Sequence, residues 1–221
     1  MILVKPSYDI LDIMGKQFSE QSPLFIIELA GRTCYKSEEK MTDESSENFV
    51  RAILKRGHES VIEHSAMTVK LIVDRGVTHE LVRHRLCAFS QESTRYCNYK
   101  GGVTFVIPPW VYITEGEYPF GTKLIGENAT EDQWFAHMML SEQAYINLLA
   151  KGWSPQQARS VLPNSLKTEI VVTANFREWR HILRLRCSKT AHPQMREVMI
   201  PLLENVKSMI PVIFDDIKKE D

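Results

Sequence analysis

The stretch from Thr168 to Arg186 limits the possible folds more than any other part of the sequence. Thr168–Ala174 is rich in β-branched residues and reads as a strand. Asn175 follows at once and is a good N-cap for a helix running to about Arg186. Ser65–Val73 is a second strand candidate. Asp43–Arg56 reads as a helix with Phe49, Val50, Ile53 and Leu54 as its apolar stripe and Gly57 as its stop. Asp74–Arg85 also has helical spacing, with Val77, Leu81 and Val82 on one side. Val103–Ile107 reads as a short strand ended by Pro108-Pro109, and Trp110–Asn128 as a long excursion loop. Glu131–Lys151 is the clearest long helix, since Trp134, Met138, Tyr145, Leu148 and Leu149 recur at helical spacing. Ser154-Pro155-Gln156-Gln157 resembles a capping box and places Ala158–Leu162 on a short helix. A last helix covers Pro193 to about Met209, with a kink expected at Pro201. Helices and strands mix without a βαβ rhythm, so the class is α+β, a compact mixed helix/antiparallel-sheet domain.

A chain of 221 residues can bury a core without staples. The expectation is one domain, 1–221. The four cysteines form no CxxC pair, which removes zinc ribbons and thioredoxin-type motifs, and free thiols are the default. The formal net charge of −1 argues against a general nucleic-acid coat or a polybasic membrane binder. No stretch approaches the roughly 20 apolar residues of a membrane span. The opening residues carry acids where a signal peptide needs an apolar run, so a cytoplasmic location is expected.

The charge is balanced globally but not locally. Arg177–Arg196 holds six Arg or Lys against one acid, and Arg75–Lys100 holds five against two. Two solvated helix faces would explain this plainly, and a shared anion pocket would explain it better. Arg83-His84-Arg85 is flanked by apolar sequence, where an unpaired buried charge costs several kcal/mol. Ser90, Gln91, Ser93, Thr94 and Arg95 supply hydroxyls, an amide and a guanidinium fork, which suit a phosphate ester and a polar ring edge. Arg186 closes the apolar stripe of Trp179 and Leu183, so it calls for an anionic partner. Gly116–Lys123 nearly spells a P-loop, but its last two residues are reversed and Pro119 interrupts it; a covering loop or a surface loop fits better. His58 and His64 could chelate a metal with Glu59 or Glu63, though the spacing is not HExxH, and no metal is expected. Trp110, Tyr112, Tyr118 and Phe120 could stack on a ring or simply pack a loop. An RNA- or single-strand-binding module is the rival from another class.

Arg83-His84-Arg85, seven residues, then Ser93 resembles the signature of the flavin-dependent thymidylate synthases. Gly57-His58-Glu59-Ser60, Ala158-Arg159-Ser160-Val161-Leu162-Pro163, Asn175-Phe176-Arg177 and Leu185-Arg186 resemble further segments of that family, in order, over about 130 residues. The resemblance implies the family's α+β fold and a homotetramer with shared active sites. It implies conversion of dUMP to dTMP, with 5,10-methylenetetrahydrofolate as one-carbon donor and NADPH-reduced FAD as hydride source. It implies dUMP contacts at Glu80, Leu81, Val82, Arg83, Gln91, Glu92, Ser93, Thr94, Arg95, Arg159 and Arg186. It implies FAD contacts at His58, Ser60, Arg83, His84, Arg85, Gln91, Asn175, Phe176, Arg177, His181 and His192. Cys34 falls where relatives carry a small flavin contact, and Gln91 where many carry Glu. Arg186 is the expected catalytic group, and neither nucleic acid nor membrane is an expected partner.

Overall fold

A computed structural model describes residues 1–14, 22–124 and 129–219. The chain divides into two units: residues 1–7, 71–81 and 90–170 form the first, and residues 8–70, 82–89 and 171–221 the second.

The elements in chain order are β1 (Ile2–Val4), β2 (Ser7–Ile13), α1 (Pro23–Thr33), α2 (Ser45–Lys55), β3 (Ala66–Asp74), α3 (Arg75–Leu81), β4 (Ala88–Gln91), β5 (Thr104–Val106), β6 (Gly116–Glu117), α4 (Ala129–Ala150), α5 (Pro155–Ala158), β7 (Lys167–Asn175), α6 (Phe176–Arg186), α7 (Pro193–Met209) and α8 (Pro211–Phe214). Short 3-10 turns add Glu38–Lys40, Glu59–His64 and Arg159–Val161. One sheet has the order β5-β1-β6 and the other β2-β3-β7-β4. The class is α+β, as the patterning implied.

In the first unit β1 pairs with β5 in parallel, Leu3 opposite Phe105, and with β6 in antiparallel fashion. Leu3, Val103, Phe105 and Ile107 join Phe135, Met138, Met139 and Tyr145 of α4 in one core. The acid within that apolar surface, Glu142, is compensated by accepting from the Val103 N–H at 2.9 Å. Ser154 and Gln157 form the capping box that starts α5.

In the second unit α2 ends at Gly57, whose φ of +75° a residue with a Cβ adopts only under strain. The Gly57 and His58 N–H groups turn back to the Leu54 and Ile53 carbonyls. Gly31 of α1 has no room for a Cβ, which would lie 2.5 Å from the Phe49 ring of α2. α6 buries Phe176, Trp179, Ile182 and Leu183, and α7 buries Met195, Val198, Met199, Leu202, Leu203 and Val206. Thr68 and Thr173 hydroxyls meet at 2.9 Å, and the Phe176 N–H donates to the Ser65 carbonyl, so β3 and β7 run antiparallel.

Two expectations change. The helix read over Asp74–Arg85 ends at Leu81, and residues 82–87 are turn or irregular structure; Val82 is exposed, so it does not extend the apolar stripe. The excursion loop contributes β6, because Gly116 and Glu117 pair with β1. That pairing takes the near P-loop's first residues into a sheet, where they cannot cradle phosphate. Residues 125–128 of that loop lie outside the described residues. α7 runs through Pro201 to Met209. Among the described residues no helix is long and apolar enough to cross a membrane.

Trp179 is fully buried, and its indole N–H donates to the Met67 carbonyl at 2.8 Å. Trp179→Phe removes that donor and part of the packing, and should cost about 2 kcal/mol. Urea unfolding at fixed protein concentration measures it; an unchanged midpoint would contradict this account.

Candidate active site

Asn175 is both the last residue of β7 and the cap of α6, with its side chain accepting from the Glu178 N–H at 2.9 Å. Helical periodicity then divides α6. Trp179, Ile182 and Leu183 go inward, while Arg177, His181 and Arg184 are exposed. The exposed face lines an open cleft of about 640 Å³ with Glu59, Glu63, Leu86, Asn175 and Glu178. Arg177 reaches Glu63 at 2.5 Å. Leu86, 78% exposed, adds an apolar wall from the 82–89 segment.

Behind this face lies His84. It is 5% exposed, and its ring meets that of His181 edge-on at 5.5 Å. Arg186 Nε donates to His84 Nε2 at 3.0 Å. An acceptor at Nε2 means a neutral ring with its proton on Nδ1, which faces Glu178 at 3.5 Å. Burial, then the charges of Arg186 and His181, hold the His84 pKa down to about 4. The half-buried Arg186 thus donates to a neutral imidazole.

The structure separates the three residues of the Arg83-His84-Arg85 motif by environment. Only His84 is buried; Arg83 and Arg85 are exposed, and among the described residues neither guanidinium has a hydrogen-bond or ion-pair partner. Burial therefore does not constrain these two arginines as their apolar flanks implied, and they stand open to an anion from solvent. His58, Ser60 and His192 are exposed as well, and His192 accepts from the Gln194 N–H at the start of α7. The Phe176 side chain is fully buried at 5.8 Å from the Phe214 ring, so only its backbone is available to a ligand. Cys34 is exposed beyond the end of α1.

Val82 is exposed in the second unit, and the other predicted residues are in the first. Leu81 is a core residue, whereas Glu80 is partly exposed. Gln91 donates its amide N–H groups to the Thr78 and Thr168 hydroxyls at 3.0 and 3.2 Å. The Glu92 carboxylate accepts from Tyr99 at 2.7 Å and from Lys167 at 3.2 Å, so its charge is spent on supporting the loop. Ser93 Oγ accepts from the Arg95 N–H, and Thr94, 5% exposed, accepts from Arg159 at 3.0 Å. The Arg159 and Ser93–Arg95 segments, far apart in sequence, thus meet. Tyr99 and Lys167 were not found from the sequence, since nothing local links them to Glu92.

Two rival chemistries can be weighed. His58 and His64 form no ligand cluster with Glu59 or Glu63 among the described residues; the group with ligand spacing is His84, Glu178 and His181. There, however, His84 Nε2 is occupied by Arg186 and Nδ1 carries the proton. Burial and Glu178 push the Cys87 thiol up to about 12, and burial pushes Cys187 up to about 12, so neither supplies a thiolate at neutral pH.

The cleft of the second unit thus mixes guanidiniums and carboxylates, and the first unit carries a turn of hydroxyls and a guanidinium. The family model of the thymidylate synthase complementing protein matches residues 18–212. The flavin-dependent thymidylate synthase of Corynebacterium efficiens is 34% identical over 204 residues, covering 88% of this chain and 80% of that protein. That of Geobacter sulfurreducens is 35% identical over 202 residues, covering 88% and 82%. Among solved structures, the UMP/dUMP methylase PolB from Streptomyces cacaoi, bound with 5-Br dUMP, is similar at a TM-score of 0.75 and 24% identity, covering 97% and 96%. Thymidylate synthase X from Helicobacter pylori, with FAD and dUMP, is similar at 0.73 and 20%, covering 97% and 100%. The chain belongs to the flavin-dependent thymidylate synthase family.

His84 ties stability to pH. Its folded pKa of about 4 lies below the ordinary 6.5, so the unfolded chain binds the proton first. The contribution is complete above 6.5 and is lost as pH falls through 4, by about 3 kcal/mol. Denaturant unfolding across this window should show the loss in the wild type and a shallower one in His84→Asn; parallel curves would remove His84 as its source.

Proposed function

We propose that the protein is an FAD-dependent thymidylate synthase that converts dUMP to dTMP, acting as a single catalytic domain over residues 1–221 within a homotetramer. The observation that carries the reading is the cationic α6 face, with Asn175, Arg177 and His181 on one cleft and Arg186 ordered by His84. The residues fit FAD: Arg83 and Arg85 are unpartnered among the described residues and suit a pyrophosphate, and Leu86 offers an apolar surface to a ring. His58, Ser60, Arg83, His84, Arg85, Gln91, Asn175, Phe176, Arg177, His181 and His192 would hold it. When bound and reduced by NADPH, the flavin supplies the hydride, and 5,10-methylenetetrahydrofolate is the one-carbon donor.

The chain's own residues do the rest. Ser93, Thr94, Arg95 and Arg159 take the dUMP phosphate, as expected of hydroxyls beside guanidinium groups. Glu80, Leu81, Val82, Arg83, Gln91 and Glu92 complete the nucleotide's surroundings, Leu81 and Glu92 through backbone and packing. Arg186 stands at the uracil N3/O2 edge and stabilises the ring with N3 deprotonated, which makes C5 nucleophilic. A charge-assisted hydrogen bond of this kind contributes roughly 1.5–3 kcal/mol, enough for one to two orders of magnitude in the anion population. No protein nucleophile is needed. Ser93 has the contacts of a turn residue, and among the described residues no base hydrogen-bonds its Oγ.

Tritium release from dUMP labelled at C5, with FAD, NADPH and methylenetetrahydrofolate, tests the reading; a protein that binds no FAD and releases none would end it. Arg186→Lys should retain some dUMP affinity and lose turnover on the order of 100-fold, since an ammonium cannot reproduce the planar edge contact. Normal turnover would remove Arg186 from its role. Ser93→Ala should weaken dUMP binding about tenfold and still turn over at saturating dUMP; complete loss would restore the nucleophile.

A further inference from the structure

Asp216 is a charged residue that the reading above leaves unused, and it lies four residues past the end of the family match. Its carboxylate takes both ends of the Arg180 guanidinium at 2.7 Å and also accepts from Arg184 at 3.1 Å. Arg180 is 2% exposed and donates to the Ile213 carbonyl as well. A guanidinium that deeply buried stays charged only with such partners, because desolvation costs several kcal/mol. Burial pushes the Asp216 carboxyl up, but the bonds from Arg180 and Arg184 outweigh it and hold it below the usual carboxylate range.

The same two arginines reach Glu59 Oε1, each at 3.4 Å. Glu59 lies between His58 and Ser60 and opens the 3-10 turn Glu59–His64. A 3-10 turn has weak internal bonding, and the Val61 N–H reaches the His58 carbonyl only at 3.4 Å. The segment therefore takes its position from side-chain anchors. Asp216 can supply one, because the backbone around it is fixed: Val212, Ile213, Phe214 and Ile217 are buried, and Phe214 packs edge-on against Phe176 of α6.

We propose that Asp216 is a positioning residue for flavin binding: through Arg180 and Arg184 it fixes Glu59, and with it His58 and Ser60 at the cleft. The inference rests on the proposed function, in which His58 and Ser60 hold FAD. Without Asp216, Arg180 and Arg184 lose the partner that orders them, so Glu59 is held by side chains that are no longer fixed and His58 and Ser60 lose their set position. Supporting side chains of this kind change affinity by about tenfold or more when removed.

The test is FAD titration of the whole chain by flavin fluorescence, at a temperature where each variant is folded. Asp216→Asn should weaken FAD binding about tenfold, and Asp216→Glu should recover part of it. Glu59→Ala leaves the Arg180–Asp216 pair in place and cuts only the link to His58 and Ser60. It should weaken FAD binding to a similar degree with little change in melting temperature, and it decides the matter should Asp216→Asn not fold. A wild type that binds FAD beside a folded Asp216→Asn or Glu59→Ala that binds it equally or better would overturn this inference alone. A wild type that binds no FAD would overturn the proposed function, and this inference with it.

Discussion

The candidate flavin face depends on the loopless junction of β7 and α6. Asn175 ends the strand and caps the helix, and the next N–H, from Phe176, is held by the Ser65 carbonyl. With no connecting residues, the rotational phase of the helix follows from the strand. Phe176, Trp179, Ile182 and Leu183 must face the core, so Arg177, His181 and Arg184 must face the cleft. The indole of Trp179, bonded to the Met67 carbonyl, locks that phase from the opposite side.

Such a cluster of cations is tolerable because two devices limit its repulsion. His84, buried beside Arg186 and His181, is neutral and accepts a hydrogen bond instead of adding a charge. Glu59 and Glu63 occupy Arg184 and Arg177 from the 3-10 turn. The arginines are thereby ordered before any ligand arrives, which lowers the entropic cost of binding. In the first unit the Ser93–Arg95 turn follows a different logic. Glu92 is tied by Tyr99 and Lys167, while the Ser93 and Thr94 hydroxyls accept from the Arg95 N–H and from Arg159.

Much of this was legible in the sequence where the signal is local. The junction at Asn175, the capping box at Ser154, the stop at Gly57 and the long α4 all rest on residues within one or two turns of each other, and all appear in the structure. The end of α3 was less legible, because Val82 and the following cations continue a helical spacing that local physics permits. The helix nonetheless ends at Leu81, and His84, three residues on, is buried with a partner in α6 about a hundred residues away in the chain. β1, β4 and β6 are short, and their pairing supplies what their sequences lack.

The sequence by itself determined the class of the fold and the family, because patterning, caps and ordered motifs are written in neighbouring residues. Only the tertiary structure decided which charges are spent and which stand open. Glu92, Glu59 and Arg180 are consumed by partners distant in sequence, Arg83 and Arg85 are not, and His84 is neutral. The reason is physical: a side chain's charge and availability depend on burial and on the groups that meet it in space, and neither is a property of the residues beside it in the chain.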